Sequence, residues 1–480
     1  MPWWERVWVL SGWLYLGLVL VLVLVALLRR REPAAALGWS LAIVFLPFAG
    51  PILFVLFGVN RLPRRLRRKI RHRADFQTRF LTPSQAAHAS LPPYAAGQWG
   101  AIGRMVEQHG EAPRRGGNSV RLLSEGRDAF DAMSAAVDAA RHHVHIEMYI
   151  FRSDALGRRA IEQLKAKLAA GVEVRLIVDA IGSVASARLL REIRRAGGQA
   201  ASFLPLGIFG KRVSFNLRNH RKMVICDGEA AFFGGLNVGE EYLGAEGRRR
   251  AHWYDLHVAL RGPAVQDVQR VFVEDWDFCT GKQLDGERYF PPPEPVGDAT
   301  VQIVSGGPDV EHNAIRDVFL SAFANAERHI HVATPYFVPD KSLLDALRIA
   351  ALAGVEVHVI TQHPPPDNYL AYFAAYHYIE ELLECGVRVH GYAPGMMHAK
   401  ALAVDGVFAM VGSANLDNRS MFLNFELMGM FDTPAEVATV ERELRGLVAK
   451  STPYTRELLA ARRWPARLAT AGARLLAPLL

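Results

Sequence analysis

NHRKMVICDG occupies residues 219–228 and MHAKALAVDG occupies residues 397–406. Each contains His, one residue, Lys, four residues, then Asp, first from His220 and again from His398. A single such pattern is weak evidence. Here the surroundings repeat as well. HVHIEMYIFRSD (143–154) parallels HIHVATPYFVPD (329–340), and AGVEVRLIVD (170–179) parallels AGVEVHVITQ (353–362). VRLLSEG (120–126) parallels VQIVSGG (301–307), and FFGGLNVG (232–239) parallels MVGSANLD (410–417). The order is the same in both halves, so the chain carries two copies of one domain. The proline-rich FPPPEPVGDA (290–299) is the expected linker.

Each copy alternates short β-branched runs with helix-patterned stretches. HVHIEMYIF, VEVRLIVD and MVICD read as buried strands, and ALGRRAIEQLKAKLAAG as a helix ending at Gly171. The expected fold class is α/β: two tandem α/β sandwich domains, helices packed on a central sheet, related by a pseudo-two-fold axis. Such domains can meet face to face, each giving one His-x-Lys to a shared cleft.

The chemistry follows from strand geometry. Residues two apart point to one face, so His220 and Lys222 share a face, as do His398 and Lys400. Asp227 and Asp405 each precede Gly, a turn signature that predicts loop-holding rather than proton transfer. Gly234-Gly235-x-Asn237 and Gly412-Ser413-x-Asn415 follow their histidines at one common spacing. A returning strand brings them beside it. Lysines and asparagines from both copies then form a donor cage for a phosphodiester, with Gly235 and Ser413 in the same loops. One neutral imidazole attacks phosphorus; the other, protonated, gives its proton to the leaving oxygen. Each histidine needs an orienting carboxylate. The candidates are Asp255, in WYDLHV downstream of His220, and Glu426, in LNFELMG downstream of His398.

Half of the 480 residues are apolar, and the net charge of +8 suggests an anionic partner. Between Arg61 and Arg73 eight of thirteen residues are Arg or Lys. Three cysteines at no ligand spacing argue against a disulfide framework and against zinc. The uncharged run from Val7 to Leu28 is long enough to cross a bilayer, and it stops at Arg29-Arg30-Arg31. That favours an uncleaved anchor over a signal peptide. A second apolar run, 34–59, contains Pro47, Gly50 and Pro51. It reads as a second span, with a re-entrant hairpin as the alternative. The basic cluster after it places the rest of the chain in the cytoplasm. The expected organisation is a transmembrane region over 1–60, a basic membrane-proximal connector over 61–116, domains over 117–290 and 299–450, and a basic amphipathic tail over 451–480.

RNHRKMVICDG, GGLNVGEEY, TPYFVPD, GSANLDNRSMFLNFE and the N-terminal FLPFAGPILFVLFG together resemble the phospholipase D superfamily, and within it the bacterial cardiolipin synthases. The resemblance runs from about Ala34 to the C-terminal ARLLAPLL. It implies tandem phospholipase D-like domains and phosphatidyl transfer from one phosphatidylglycerol to another through a phosphohistidine. Products are cardiolipin and glycerol, with no metal, no cofactor and no nucleic acid partner. It implies a multi-pass protein of the bacterial inner (plasma) membrane, working on an anionic lipid surface with cytoplasmic catalytic domains. The catalytic positions carried over are His220, Lys222, Asp227, His398, Lys400 and Asp405, with Asn237 and Asn415 on phosphate. His220 is the expected nucleophile and His398 the acid/base, although both copies satisfy the chemical requirement. A phospholipase D-type hydrolase would have the same site residues, as would a nuclease. Acceptor choice depends on cleft shape and water exclusion.

Overall fold

The computed structural model describes residues 2–29, 33–58, 98–204, 216–243, 253–310, 312–364, 367–475 and 477. The basic cluster Arg61 to Arg73 lies outside them. The chain divides into an N-terminal unit and a larger unit that holds both repeats.

In the N-terminal unit, helix α1 (Trp3–Arg29) is long and apolar enough to cross a membrane. The second apolar run departs from the two-span expectation. Its helix α2 (Pro33–Phe45) has 13 residues, about 20 Å at the helical rise, against a hydrocarbon core of about 30 Å. Pro47 and Phe48, whose φ is 62°, break the chain there. A short helix, Ala49–Leu53, and a π-turn, Phe54–Gly58, follow. The run folds back on itself. Ile43 and Phe54 bury against Leu22 and Ala26, and the Phe48 amide donates to the Tyr15 hydroxyl at 3.0 Å. A Cβ on Gly50 would lie 2.0 Å from the Ala42 carbonyl oxygen, so the hairpin closes only over glycine.

In the larger unit the first repeat supplies strands β1 (Arg115–Leu123), β2 (His143–Met148), β3 (Glu173–Asp179), β4 (Gln199–Phe203), β5 (Arg218–Asn219), β6 (Met223–Cys226), β7 (Ala230–Gly234), β8 (Trp253–Tyr254) and β9 (His257–Arg261). The second supplies β10 (Ala299–Gly306), β11 (His329–Ala333), β12 (Glu356–Gln362), β13 (Arg388–Tyr392), β14 (Met396–Met397), β15 (Ala401–Val404), β16 (Phe408–Gly412), β17 (Asn424–Phe431) and β18 (Ser451–Pro453). Strand order runs β4-β3-β2-β6-β7-β9-β1, then β10-β17-β16-β15-β11-β12-β13-β18. The second half mirrors the first about the β1–β10 junction, as pseudo-two-fold symmetry requires.

β1 serves both halves. Ser119 to Leu123 pair with β9. Beyond an irregularity, Arg115 and Asn118 pair with Val301 and Ala299 of β10. β7 also packs on β16 and β17, and β9 on β16. Gly429 makes this close approach possible, since a Cβ there would meet the Phe233 ring at 2.7 Å. Each repeat keeps its own apolar core. The helix Gln98–Gln108 lies within the expected connector, yet Ile102 and Val106 belong to the core of the second repeat. The tyrosine-rich helix Tyr369–Glu384 packs on the C-terminal helix Trp464–Leu475. Tyr376 is buried there, with the Arg462 guanidinium 3.6 Å from its ring centroid.

Candidate active site

Two short parallel pairings build the site, and each crosses from one repeat to the other. β5 pairs with β17, Arg218 beside Asn424 and Asn219 beside Phe425. β14 pairs with β8, Met396 beside Trp253 and Met397 beside Tyr254. The next residue in each strand is the one that matters. The His220 amide donates to the Phe425 carbonyl at 2.9 Å, and the His398 amide to the Tyr254 carbonyl at 2.7 Å. His220 thereby sits beside Glu426, and His398 beside Asp255. His220 Nδ1 is 3.0 Å from both carboxylate oxygens of Glu426. His398 Nδ1 is 2.6 Å from Asp255 Oδ2. Both orienters expected from sequence are in place, but each serves the histidine of the other repeat.

One cleft is lined by both histidines together with Asn237 and Asn415. The asparagines are themselves held. Asn237 accepts from the Ile150 amide at 3.0 Å and donates to the Tyr242 hydroxyl at 2.7 Å. Asn415 donates to Asp417 at 3.1 Å. Aromatic edges fix the imidazoles: Tyr149 is edge-on to His220, while Tyr242 and Trp253 flank His398.

The lysines stand behind the histidines rather than among the residues lining the cleft. Both are fully buried. Lys222 Nζ donates to the His220 carbonyl at 2.6 Å. Lys400 Nζ donates to the His398 carbonyl and lies 2.8 Å from His398 Nδ1. They fold back onto their own backbone beneath the two histidines.

Gly235 and Ser413, expected on the phosphate, lie against the two carboxylates. The Ser413 hydroxyl donates to Glu426 Oε2 at 2.6 Å, and its amide to the Leu427 carbonyl at 2.9 Å. A Cβ on Gly235 would fall 1.9 Å from Asp255 Oδ1. Glycine is there because the carboxylate needs the space.

Asp227 and Asp405, carried over with the catalytic positions, do not line the cleft. Each follows its Lys by five residues, about 16 Å of strand. Asp227 accepts from the amides of Arg141, His142 and His143. Asp405 accepts from those of Glu327, Arg328 and His329. Both occupy left-handed turns at φ 55° and tie each repeat's first long helix to its sheet.

Burial lowers the His220 pKa, opposed by Glu426 and reinforced by Lys222. His398 is driven well below its ordinary value, by burial first and then by Lys400 and Lys222. Burial pushes Asp255 up to about 6, against the pull of Lys400 and the Leu256 amide. Burial also pushes on Glu426, but His220, Lys222 and the Ser413 hydroxyl outweigh it, and its pKa falls. Lys400 drops to about 8 through burial, and Lys222 falls well below the usual lysine value for the same reason. Burial thus favours the neutral imidazole, the form a nucleophile requires, while the carboxylate beside each histidine favours keeping a proton on it.

Sequence reasoning missed Arg218, Arg419, Tyr149, Tyr242 and Tyr336, which also line the cleft. Arg218 precedes His220 by two residues and carries a detectable signal, since alternate residues of an extended chain share a face. The tyrosines lie within stretches already singled out, Tyr149 in HVHIEMYIFRSD, Tyr242 in GGLNVGEEY and Tyr336 in TPYFVPD, but nothing in their spacing marks them as cleft residues.

Comparison with known proteins gives matches to family models, curated relatives and solved structures. A family model described as cardiolipin synthase, PLD-like domain, matches residues 133–276 and 319–448. A second, phospholipase D-nuclease N-terminal, matches residues 18–58. The chain is 34% identical over 469 residues to the cardiolipin synthase of Geobacillus kaustophilus, covering 96% of this chain and 92% of that one. It is 35% identical over 482 residues to the major cardiolipin synthase ClsA of Bacillus subtilis, covering 96% and 97%. Among solved structures, a phosphatidylserine synthase from Haemophilus influenzae has a similar fold. It shows a TM-score of 0.56 and 14% identity, covering 75% of this chain and 95% of that one.

Proposed function

Because the chain belongs to the cardiolipin synthase family of phospholipase D-like proteins, we propose that it joins two phosphatidylglycerols into cardiolipin and releases glycerol. The observation that carries this reading is the pair of crossed histidine–carboxylate contacts in one cleft.

His220 is the nucleophile. Its Nδ1 faces both oxygens of one carboxylate, which keeps the proton there and leaves the Nε2 lone pair for attack. Attack on phosphorus forms a P–N bond and breaks the bond to the headgroup glycerol. His398 protonates the departing oxygen. Lys400, 2.8 Å from His398 Nδ1, disfavours the imidazolium and so makes it a stronger acid. The terminal hydroxyl of a second phosphatidylglycerol then attacks phosphorus and gives its proton to His398, the P–N bond breaks, and cardiolipin is complete. Donors from Asn237 and Asn415, with the buried lysine charges beneath, hold the phosphate oxygens. No step in this scheme calls for a metal. The protein sits in the bacterial plasma membrane with its catalytic unit facing the cytoplasm, anchored by α1 and a re-entrant hairpin.

The test is full-length protein in detergent, given phosphatidylglycerol and a chelator, with lipid products followed by mass spectrometry. Equal cardiolipin and glycerol, absent in His220→Ala and His398→Ala, is the expected result. Phosphatidic acid without cardiolipin would make the protein a hydrolase. A phosphatidyl adduct trapped on His398 in a rapid quench would reverse the two roles.

A further inference from the structure

The first repeat contains an apolar cavity that the chemistry above does not use. It measures about 120 Å³ and opens between the helices Gly126–Ala139 and Ala155–Ala169. Ile146 and Met148 of β2 form its floor, and Met133, Val137 and Leu164 its walls. An engineered apolar cavity of about 150 Å³ takes benzene, so this one accepts a short run of methylenes.

The second repeat shows what a closed version looks like. Its equivalent strand and helix begin at one constant offset, His329 standing for His143 and Lys341 for Ala155. At that offset Met133 becomes Phe319, Val137 becomes Phe323 and Ser134 becomes Leu320. Phe319 and Phe323 are buried in the core of the second repeat, with Leu320 packed against it. Two aromatic rings fill there what methionine and valine leave open here.

Two more features identify the occupant. Arg127 and Arg159, one from each helix, stand exposed at the cavity with Asp131. Neither guanidinium has an ion-pair partner among the described residues. The inner wall is also shared with the active site. Phe151 and Val238 line the cavity, while their chain neighbours Ile150 and Asn237 line the catalytic cleft. The two segments are stitched together, with the Arg152 amide donating to the Val238 carbonyl at 2.8 Å. We propose that this cavity is a second, non-catalytic lipid site, taking part of one acyl chain of an anionic phospholipid whose phosphate meets Arg127 and Arg159. The choice of lipid rests on the phospholipid chemistry proposed above.

The experiment uses full-length protein in phosphatidylcholine nanodiscs doped with phosphatidylglycerol that carries a diazirine on its acyl chain. After irradiation, adducts are expected in peptides containing Met133, Leu156 and Leu164. The variant Met133→Phe/Val137→Phe copies the second repeat and loses those adducts while keeping adducts in α1. Ser134→Leu, which narrows the same space by one side chain, provides the check should the double variant fold poorly. Arg127→Gln/Arg159→Gln removes the preference for the phosphatidylglycerol probe over a phosphatidylcholine probe with the same tail. Wild-type protein without adducts in these peptides overturns the proposal, as does labelling unchanged in a well-folded filled variant. Cardiolipin formation is scored in the same samples. Adducts without product leave this site standing and remove the proposed reaction; product without adducts does the reverse.

Discussion

The two histidines look alike in sequence, but their carboxylates are housed differently. Glu426 accepts from His220, from the Ser413 and Ser420 hydroxyls and, at 3.3 Å, from Asn424. Asp255 is one methylene shorter, sits against Gly235, and accepts from His398 and the Leu256 amide. Burial is complete for both carboxylates. What differs is what opposes it: His220, Lys222 and the Ser413 hydroxyl outweigh burial at Glu426 and bring its pKa below the ordinary carboxylate value, whereas burial prevails at Asp255 and takes it up to about 6. A symmetric fold thus holds an asymmetric pair, one half ionised over a wide pH range and the other poised near neutrality.

The largest effect should come from removing either charge. Glu426→Gln and Asp255→Asn are each expected to lower kcat by about 10⁴, the cost seen when an orienting carboxylate is neutralised in a comparable triad. If one substitution were silent, the two pairs would not act together.

The next test exchanges the housings. Gly235→Ala puts a methyl 1.9 Å from Asp255 Oδ1 and must displace the carboxylate. A drop in kcat of about 10²-fold is expected, as for a misplacement of about 1 Å. Ser413→Ala removes one donor to a charged acceptor, worth about 1.5–3 kcal/mol, and Ser420 remains. The Ser413→Ala loss should therefore be the milder of the two, with the Glu426 titration shifted upward. Equal losses would mean that Gly235 and Ser413 play one role after all.

The pH profile sharpens the contrast. As pH falls through about 6, Asp255 takes up a proton and His398 loses its ionised partner. As pH rises through about 8, Lys400 gives up its proton and the positive potential beneath the phosphate weakens. Activity against pH should be bell-shaped between those limits, and the residual activity of Asp255→Asn should lack the acid limb. An acid limb that persists there belongs to another group.

The smallest effect on chemistry belongs to the turns. Asp227→Asn and Asp405→Asn each weaken three bonds to backbone amides. A loss of about 1–3 kcal/mol of stability is expected, read as a lower Tm, with kcat unchanged within about two-fold. A large fall in kcat at full stability would return these aspartates to the chemistry.

The duplication, the strands and the two histidines were legible because they are local: a repeated string and period-two alternation need no partner. Asp255 and Glu426 were legible as residue types at similar distances after each motif. Their exchange was not, because it rests on β5–β17 and β8–β14, short pairings between segments that lie in different repeats. The lysine placement escaped for a related reason. Strand alternation sets the face of Lys222 and Lys400 but not the fold-back of four methylenes onto the His220 and His398 carbonyls. In the membrane segment the length of the apolar run favoured a second crossing, with Pro47, Gly50 and Pro51 keeping a re-entrant hairpin as the alternative. The fold-back at Pro47 and Gly50 and the contacts with Leu22 and Ala26 fit the hairpin.

The exchanged carboxylates also change how lesions should sort in a genetic cross. His220→Ala and Asp255→Asn lie in the same repeat yet strike different histidine–carboxylate pairs. His220→Ala and Glu426→Gln lie in different repeats and strike the same one. Second-site suppressors of partial lesions should therefore cluster by pair rather than by repeat: Ser413→Ala answers to changes around His220, and Gly235→Ala to changes around His398. Neither repeat is a self-sufficient unit of inheritance, since each carries half of the other's working parts.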